Sequence, residues 1–273
     1  MRTRQYSLGV TVVIGILLAA GCGNDSISTS NAIVGTPSAV GSTGAPTVSP
    51  VGDPGEDNTK LDDTALKAKI QAAGTGISTV RAVGDIRSSH PNTRIGFDLR
   101  YDHRRKNYVG SMTYGEHRLD LRRVGPDLYL KATGNYWTAS GRLADPNAAA
   151  LLHDKYVRIK VNNSRFEDVT ETAEYGNVAT VVSDWKSDTQ RRSEESLGGT
   201  RTIVVAVPNG DDGNESRLYV PATGNPVPVR LTDPEYGTID WSDLGKPVDV
   251  TAPPAADTVD LPPLAGETRP RTQ

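Results

Sequence analysis

Cysteine is almost missing from this chain of 273 residues, which has only Cys22. One cysteine excludes an intramolecular disulfide and any cysteine zinc cluster. Large apolar side chains are also scarce, with two Phe, three Trp and two Met, and aromatic residues make up only 5% of the chain. An apolar fraction of 36% beside 27 Gly and 18 Pro implies that part of the length never enters a core. No charge of one sign dominates: 30 Lys and Arg stand against 33 Asp and Glu, a formal charge of −3. That balance excludes a nucleic-acid binder held by bulk charge. Recognisable catalytic patterns are missing as well. There is no Gly-x-Ser-x-Gly elbow, no P-loop and no Gly-x-Gly-x-x-Gly. His90, His103, His117 and His153 lack metal-type spacing and read as surface residues. Asp62/Asp63 and Asp211/Asp212 read as cap and turn acids, and Glu194-Glu195 after Arg191-Arg192 reads as a polar loop. No enzyme, metal site or cofactor is expected.

What is present begins at the N-terminus. Arg2 and Arg4 precede Leu8 to Ala20, thirteen apolar or small residues, too few to span a bilayer comfortably, so residues 1–21 read as a signal peptide. Leu17-Leu18-Ala19-Ala20-Gly21-Cys22 resembles a bacterial lipobox, in which the cysteine is diacylated and becomes the new N-terminus. The resemblance implies a cell-membrane anchor at Cys22, on the extracytoplasmic face, and two acyl chains suffice for stable anchoring.

Residues 22–58 then read as the lipidated cysteine and a disordered tether. From Gly23 to Asn58, 20 of 36 residues are Gly, Pro, Ser or Thr, with no aromatic, Lys or Arg, and such a segment buries too little to offset its chain entropy. The Pro-rich end, residues 252–273, reads as a loose tail. Residues 59–251 are left as one ordinary domain. Its charge is unevenly spread: residues 78 to 123 carry ten bases and five acids, residues 206 to 250 eight acids and three bases. The simple expectation is solvated strand faces that pair across a sheet. The functional alternative places Arg100, Arg104, Arg105, Arg122 and Arg123 near anionic head groups.

Leu61, Ala65, Leu66, Ile70 and Ala73 recur at helical spacing, with Asp62 or Asp63 as N-cap and Gly74 and Gly76 as stop signals. After this helix the period becomes two. Ile95, Phe97, Leu99 and Tyr101 alternate with Arg94, Asp98, Arg100 and Asp102; residues 102 to 107 read as a turn, and Tyr108, Met112 and Tyr114 resume the alternation. Further strands are expected at 119–124, 128–132, 156–161, 203–207, 218–220, 227–231, 239–241 and 248–250. Helices are expected at 147–153 and 166–185. Short strands separated by turn residues give an antiparallel, meander-like sheet, and helices beside it make the class α+β. About three helices must cover nine or ten strands. Either the sheet curls over them around a packed core or it leaves an apolar space for a ligand.

Several stretches are similar to actinobacterial envelope lipoproteins of the LppX/LprG type, whose fold is similar to that of the LolA/LolB lipoprotein carriers. They are the opening helix and strand (Leu61 to Arg87), Val124-Gly125-Pro126-Asp127-Leu128-Tyr129-Leu130 leading to Tyr136-Trp137, and the hairpin Arg217-Leu218-Tyr219-Val220 to Pro228-Val229-Arg230-Leu231. The closing run Ile239-Asp240-Trp241-Ser242-Asp243-Leu244-Gly245-Lys246-Pro247-Val248, followed by Ala252-Pro253-Pro254, is the most specific. The resemblance implies a strongly curved antiparallel sheet, an incomplete β-barrel covered by a few short helices, around a cavity for acyl chains of a lipid or glycolipid. It implies a carrier that moves lipid in the cell envelope. Patterning alone names Ile95, Phe97, Leu99 and Tyr101 as lining of that cavity or of a core. The alternative is a structural or regulatory envelope lipoprotein with a packed core and no ligand. The sequence leaves the oligomeric state open.

Overall fold

A computed structural model describes residues 55–87, 93–132, 135–140, 142–143, 146–183, 185, 190–208 and 215–261. The expected signal peptide, Cys22 and nearly all of the expected tether lie outside the described residues, as do His90, Asp211/Asp212 and the end of the expected tail.

The first helix, α1 (Asp63–Gly76), forms where the apolar spacing placed it, burying Leu66, Ile70 and Ala73. Asp62 caps it, its Oδ1 accepting from the Ala65 N–H at 2.7 Å, which satisfies one of the free donors of the first turn. Strands then follow: β1 (Thr79–Arg87), β2 (Arg94–Asp102), β3 (Asn107–Tyr114), β4 (His117–Val124) and β5 (Asp127–Ala132). Two short helices, α2 (Tyr136–Ala139) and α3 (Pro146–Leu151), lead to β6 (Tyr156–Lys160). Helices α4 (Glu167–Tyr175) and α5 (Val178–Ser183) precede β7 (Gln190–Leu197), β8 (Thr200–Pro208), β9 (Glu215–Pro221), β10 (Arg230–Asp233), β11 (Gly237–Ser242) and β12 (Thr258–Asp260).

The strands form one sheet of twelve in the order β12-β6-β5-β4-β3-β2-β1-β11-β10-β9-β8-β7. Every pairing is antiparallel except β12 on β6. Strands β7 and β12 are the two ends of an unclosed sheet, so the architecture is the expected α+β incomplete barrel with few helices. Alternation sends one set of side chains to a single core: Val80 and Ala82 of β1, Ile95, Phe97, Leu99 and Tyr101 of β2, Leu119 and Leu121 of β4, and Leu218 and Val220 of β9 join the buried faces of α1, α4 and α5.

The opposite face carries charge pairs. Arg81 grips Asp98 with two bonds of 2.8 and 2.6 Å, Arg230 grips Asp240 at 2.5 and 2.9 Å, and Arg94 pairs with Asp85. The simple expectation of paired strand faces therefore holds, although most pairs form between neighbouring strands within each charged stretch. Arg105 bonds Asp102 at 3.3 Å, Arg123 bonds Glu174 at 2.5 Å, and Arg122 lies over the Tyr156 ring. Three of the five arginines offered for head groups are thus engaged within the domain.

Several expectations need correction. Arg191-Arg192 and Glu194-Glu195, read as a polar loop, lie within strand β7. As a sheet-end strand it is held by backbone pairing to β8 and carries charges that blunt an exposed edge, so it shows no apolar alternation. The helix expected over 166–185 is two helices. Between them Asn177 caps α5, its Oδ1 accepting from the N–H groups of Ala179 and Thr180 at 3.0 and 3.3 Å. No strand forms at 248–250, and the piece expected over 227–231 becomes a strand only from Arg230.

Both domain borders move outward. Asn58 is buried and donates from Nδ2 to the carbonyls of Pro221 and Gly224, both at 3.0 Å, while Arg191 donates to the carbonyls of Thr59 and Leu61, both at 2.5 Å. At the other end, the Gly245 N–H donates to the Thr79 carbonyl at 2.9 Å and Arg122 reaches the Thr251 carbonyl at 3.5 Å. The chain then joins β6 as β12. Of the end expected to be loose, Thr258–Asp260 are therefore part of the sheet, and Ala255–Asp257 form a 3-10 turn before them. Backbone pairing fixes them, and a Pro-rich stretch gives no side-chain period to announce it.

Candidate functional site

The four residues that patterning singled out, Ile95, Phe97, Leu99 and Tyr101, share the inward face of β2 and are all buried. Their surroundings are tight. Phe97 lies opposite Gly84 in the β1–β2 register, and a Cβ on Gly84 would overlap its ring. From the other side Gly176, at the α4–α5 junction, approaches so closely that a Cβ there would overlap the Tyr101 hydroxyl and touch Phe97. Glycine at both positions lets one aromatic ring fill the space between strand and helix.

The same junction is latched to the sheet by polar bonds. The Tyr101 hydroxyl donates to the Ala173 carbonyl at 2.6 Å, and the Trp241 indole Nε1–H donates to the Gly176 carbonyl at 2.8 Å. Arg123 at the end of β4 donates to Glu174 at 2.5 Å. Helix α5 is tied back to α1, where Gln71 donates to the carbonyls of Val182 and Trp185 at 3.1 and 3.3 Å. Helices α4 and α5 thus form a roof over the inward face of the sheet, made of small buried side chains: Val169, Thr172, Ala173, Val178 and Val182.

Beside this latch, where the β2–β3 turn meets the α4–α5 junction, is a cavity of about 330 Å³ bordered by Tyr101, Asp102, His103, Lys106, Asn107, Tyr108, Arg123, Glu174, Asn177 and Thr180. Of the four sequence candidates only Tyr101 is among these residues. The register sets Tyr101 opposite Tyr108, with ring centroids 5.8 Å apart, and His103 stacks on Tyr101 at 6.0 Å with an interplanar angle of 7°. Burial pushes both tyrosine hydroxyls well above their ordinary range, so both stay protonated. Burial lowers the His103 pKa against the opposing pull of Asp102, which favours the neutral imidazole.

Two polar atoms on this wall are buried without a hydrogen-bond partner, the Tyr108 hydroxyl and His103 Nε2. The surface expectation for the histidines therefore fails for His103, which is half-buried with its ring stacked on Tyr101, while Arg104, Arg105 and Lys106 of the same turn are exposed. His117 is also largely covered, packing edge-on against Tyr136, whereas His153 is exposed. The turn at 102–107 was legible in sequence, but the burial of its two ends, Asp102 and Asn107, was not. The available signal was Tyr108, a residue with a polar tip in the apolar phase of β3 beside that turn. Among the described residues no group of three or more His, Cys, Asp or Glu is placed to hold a metal ion.

No family model matches the chain, and no curated protein does. Solved structures do. The chain is similar to the LppX and LprF lipoproteins. With LppX from Mycobacterium tuberculosis the identity is 16% and the TM-score 0.46, over 70% of this chain and 100% of that one. With LprF from Mycobacterium bovis they are 15% and 0.45, over 68% and 94%. A LolA superfamily protein from Nitrosomonas europaea matches at 11% and 0.25, over 72% and 96%. These are the groups that the sequence motifs resemble.

Proposed function

We propose that the chain is an extracytoplasmic lipoprotein, anchored in the cell membrane through a diacylated Cys22. In this reading it takes up an acyl lipid between the sheet and the α4–α5 roof and passes it on chemically unchanged. The observation that carries the reading is the build of the roof. Two helices of nine and six residues close a continuous apolar face with small side chains and a short set of latching bonds. Lifting them presents Ile95, Phe97 and Leu99 to an acyl chain and breaks none of the strand pairings. Among the described residues no helix is long and apolar enough to cross a membrane, and the reading assigns membrane attachment to Cys22.

A second reading, a structural or regulatory lipoprotein with a permanently packed interior, is favoured by the Phe97 ring seated between Gly84 and Gly176. Native mass spectrometry of the protein from its own host separates the two. A stoichiometric extra mass that organic solvent removes is expected; a clean apo mass together with no binding of a dansyl fatty acid refutes the carrier. Cys22→Ala should release the protein from the membrane, and unchanged retention would count against the anchor.

A further inference from the structure

We propose that the end of the sheet formed by the β2–β3 turn and the turn after β11 docks on an anionic lipid surface. The two turns are held side by side. Asp102 is the register partner of both Thr79 and Asn107, so the turn at 103–106 sits beside the start of β1, where the His103 N–H donates to the Ser78 carbonyl at 2.9 Å. On the other side of β1 the turn at 243–246 closes on the same stretch. The Thr79 hydroxyl donates to the Lys246 carbonyl at 2.7 Å, and the Gly245 N–H donates to the Thr79 carbonyl at 2.9 Å.

This junction is basic. Arg100, Arg104, Arg105, Lys106 and Lys246 are all exposed on it. Its two partly covered carboxylates are matched from within, Asp102 by Arg105 and Asp243 by Lys246. That leaves Arg100, Arg104 and Lys106, whose side chains make no salt bridge or hydrogen bond among the described residues. Arg100 lies within the field of Asp98 and Asp243, but Arg81 and Lys246 hold those carboxylates directly. Asp249, further along the outgoing segment, is exposed and still leaves the cations in excess.

The opposite end of the sheet is unlike it. There the β3–β4 turn carries Glu116, and the β10–β11 turn carries Asp233 and Glu235. A domain basic at one end and acidic at the other is oriented by a negatively charged surface, with the 103–106 and 243–246 turns toward it. The choice of a bilayer as that surface rests on the proposed function, in which a lipidated Cys22 keeps the domain at a membrane. Lys106 also borders the cavity of about 330 Å³, so docking brings that rim and the neighbouring α4–α5 junction to the head groups.

The test uses the protein from residue 22 onward with Cys22→Ala. It carries neither signal peptide nor anchor, so its sedimentation with vesicles reports the docking surface alone. It is expected to bind phosphatidylcholine vesicles that contain phosphatidylglycerol and to leave pure phosphatidylcholine vesicles unbound. Raising the salt from about 0.1 to about 1 M shortens the reach of exposed charges from about 10 to about 3 Å and should release it. Arg100→Gln/Arg104→Gln/Lys106→Asn removes the unpaired cations. Asparagine suits the left-handed backbone of Lys106, φ 54°, and the melting temperature should not change. At about fivefold for each basic side chain near an anionic surface, binding should fall about a hundredfold. Arg87→Gln/Arg217→Gln, which removes exposed cations toward the opposite end, should bind like the parent. No binding to the anionic vesicles overturns the proposal, as do undiminished binding by the triple variant, an equal loss in the Arg87/Arg217 variant and equal binding to pure phosphatidylcholine. Tighter binding of polyglutamate than of the vesicles also overturns it, and marks an acidic protein as the partner. Dansyl fatty acid binding in solution, which the triple variant should leave unchanged, reports on the proposed function separately.

Discussion

Gly176→Ala is a wedge whose sign can be worked out. The backbone there is right-handed helical, φ −70° and ψ −14°, so alanine suffers no conformational penalty. On backbone grounds alone the substitution should stabilise the fold by about 0.4–1 kcal/mol through a less flexible unfolded chain. Packing opposes this. The new methyl would overlap the Tyr101 hydroxyl and crowd the Phe97 ring, and Phe97 has no retreat because Gly84 closes its other side. Overpacking of this kind costs about 1–3 kcal/mol. The packing penalty wins, leaving a net loss of about 1–2 kcal/mol, which for a domain of this size lowers the melting temperature by about 3–6 °C.

Urea denaturation of Gly176→Ala, Tyr101→Phe and the double variant measures it. Tyr101→Phe alone removes one buried bond to the Ala173 carbonyl and should cost about 1 kcal/mol; the carbonyl keeps a second donor, the Gly176 N–H at 3.3 Å. In the double variant the nearest overlapping atom is gone, so the two losses should sum to less than additive, by at least 0.5 kcal/mol. A Gly176→Ala protein as stable as the parent, or more so, would refute the claim that the α4–α5 junction is seated on Tyr101 and Phe97.

Two further outcomes follow from the same geometry. His103 has a folded-state pKa below its unfolded value, so its contribution to stability is complete above about pH 6.5 and falls as the pH drops below that, where the unfolded chain binds the proton more readily. Melting temperatures between pH 7.5 and 5.5 should decline, and His103→Gln should flatten the decline; an equally steep decline in the variant would contradict the burial. The loss from Asp98, whose pKa Arg81 holds down through its hydrogen bonds, begins only below about pH 4 and is separable. Deleting residues 252–273 strips β12 from β6 and uncovers the partly buried Val259 and Leu261; a loss of about 2 kcal/mol, or 4–8 °C, is expected, and an unchanged melting curve would show residues 252–261 to be dispensable.

The sequence announced those parts of the fold in which side-chain period and burial coincide. Helix α1 and the β2–β3 hairpin could be read from Leu66, Ile70 and the run Ile95 to Tyr101, because each buries one face and exposes the other. Strands β7 and β12 could not, since they lie at the two ends of the sheet and are fixed by backbone pairing, which leaves no mark on composition. The cavity was only half legible. Tyr101 carries the alternation, whereas His103, Asn107, Arg123 and Glu174 meet because a turn, a strand end and a helix junction converge. That convergence is a property of the register between strands, which no single stretch of sequence contains.

The scarcity of large apolar side chains acquires a meaning from the roof. Burying Val169, Val178 and Val182 contributes about 1.5 kcal/mol each at the low end of the usual range. The two neutral latching bonds, from Tyr101 and Trp241, add about 1 kcal/mol each. The ion pair of Arg123 with a partly exposed Glu174 adds at most about 1 kcal/mol. These contributions alone come to about 7–8 kcal/mol, a lower bound to which the Gln71 bonds and the burial of Thr172, Ala173 and the sheet face beneath add further. At about 0.8 kcal/mol per buried methylene, an acyl chain needs at least about ten methylenes to match that cost. Had the roof carried Leu, Ile and Phe in place of Val and Ala, the same threshold would exceed the length of an ordinary fatty acid. A chain poor in large apolar residues can therefore keep a dry, packed interior and still yield it to a long acyl chain, while remaining closed to short ones.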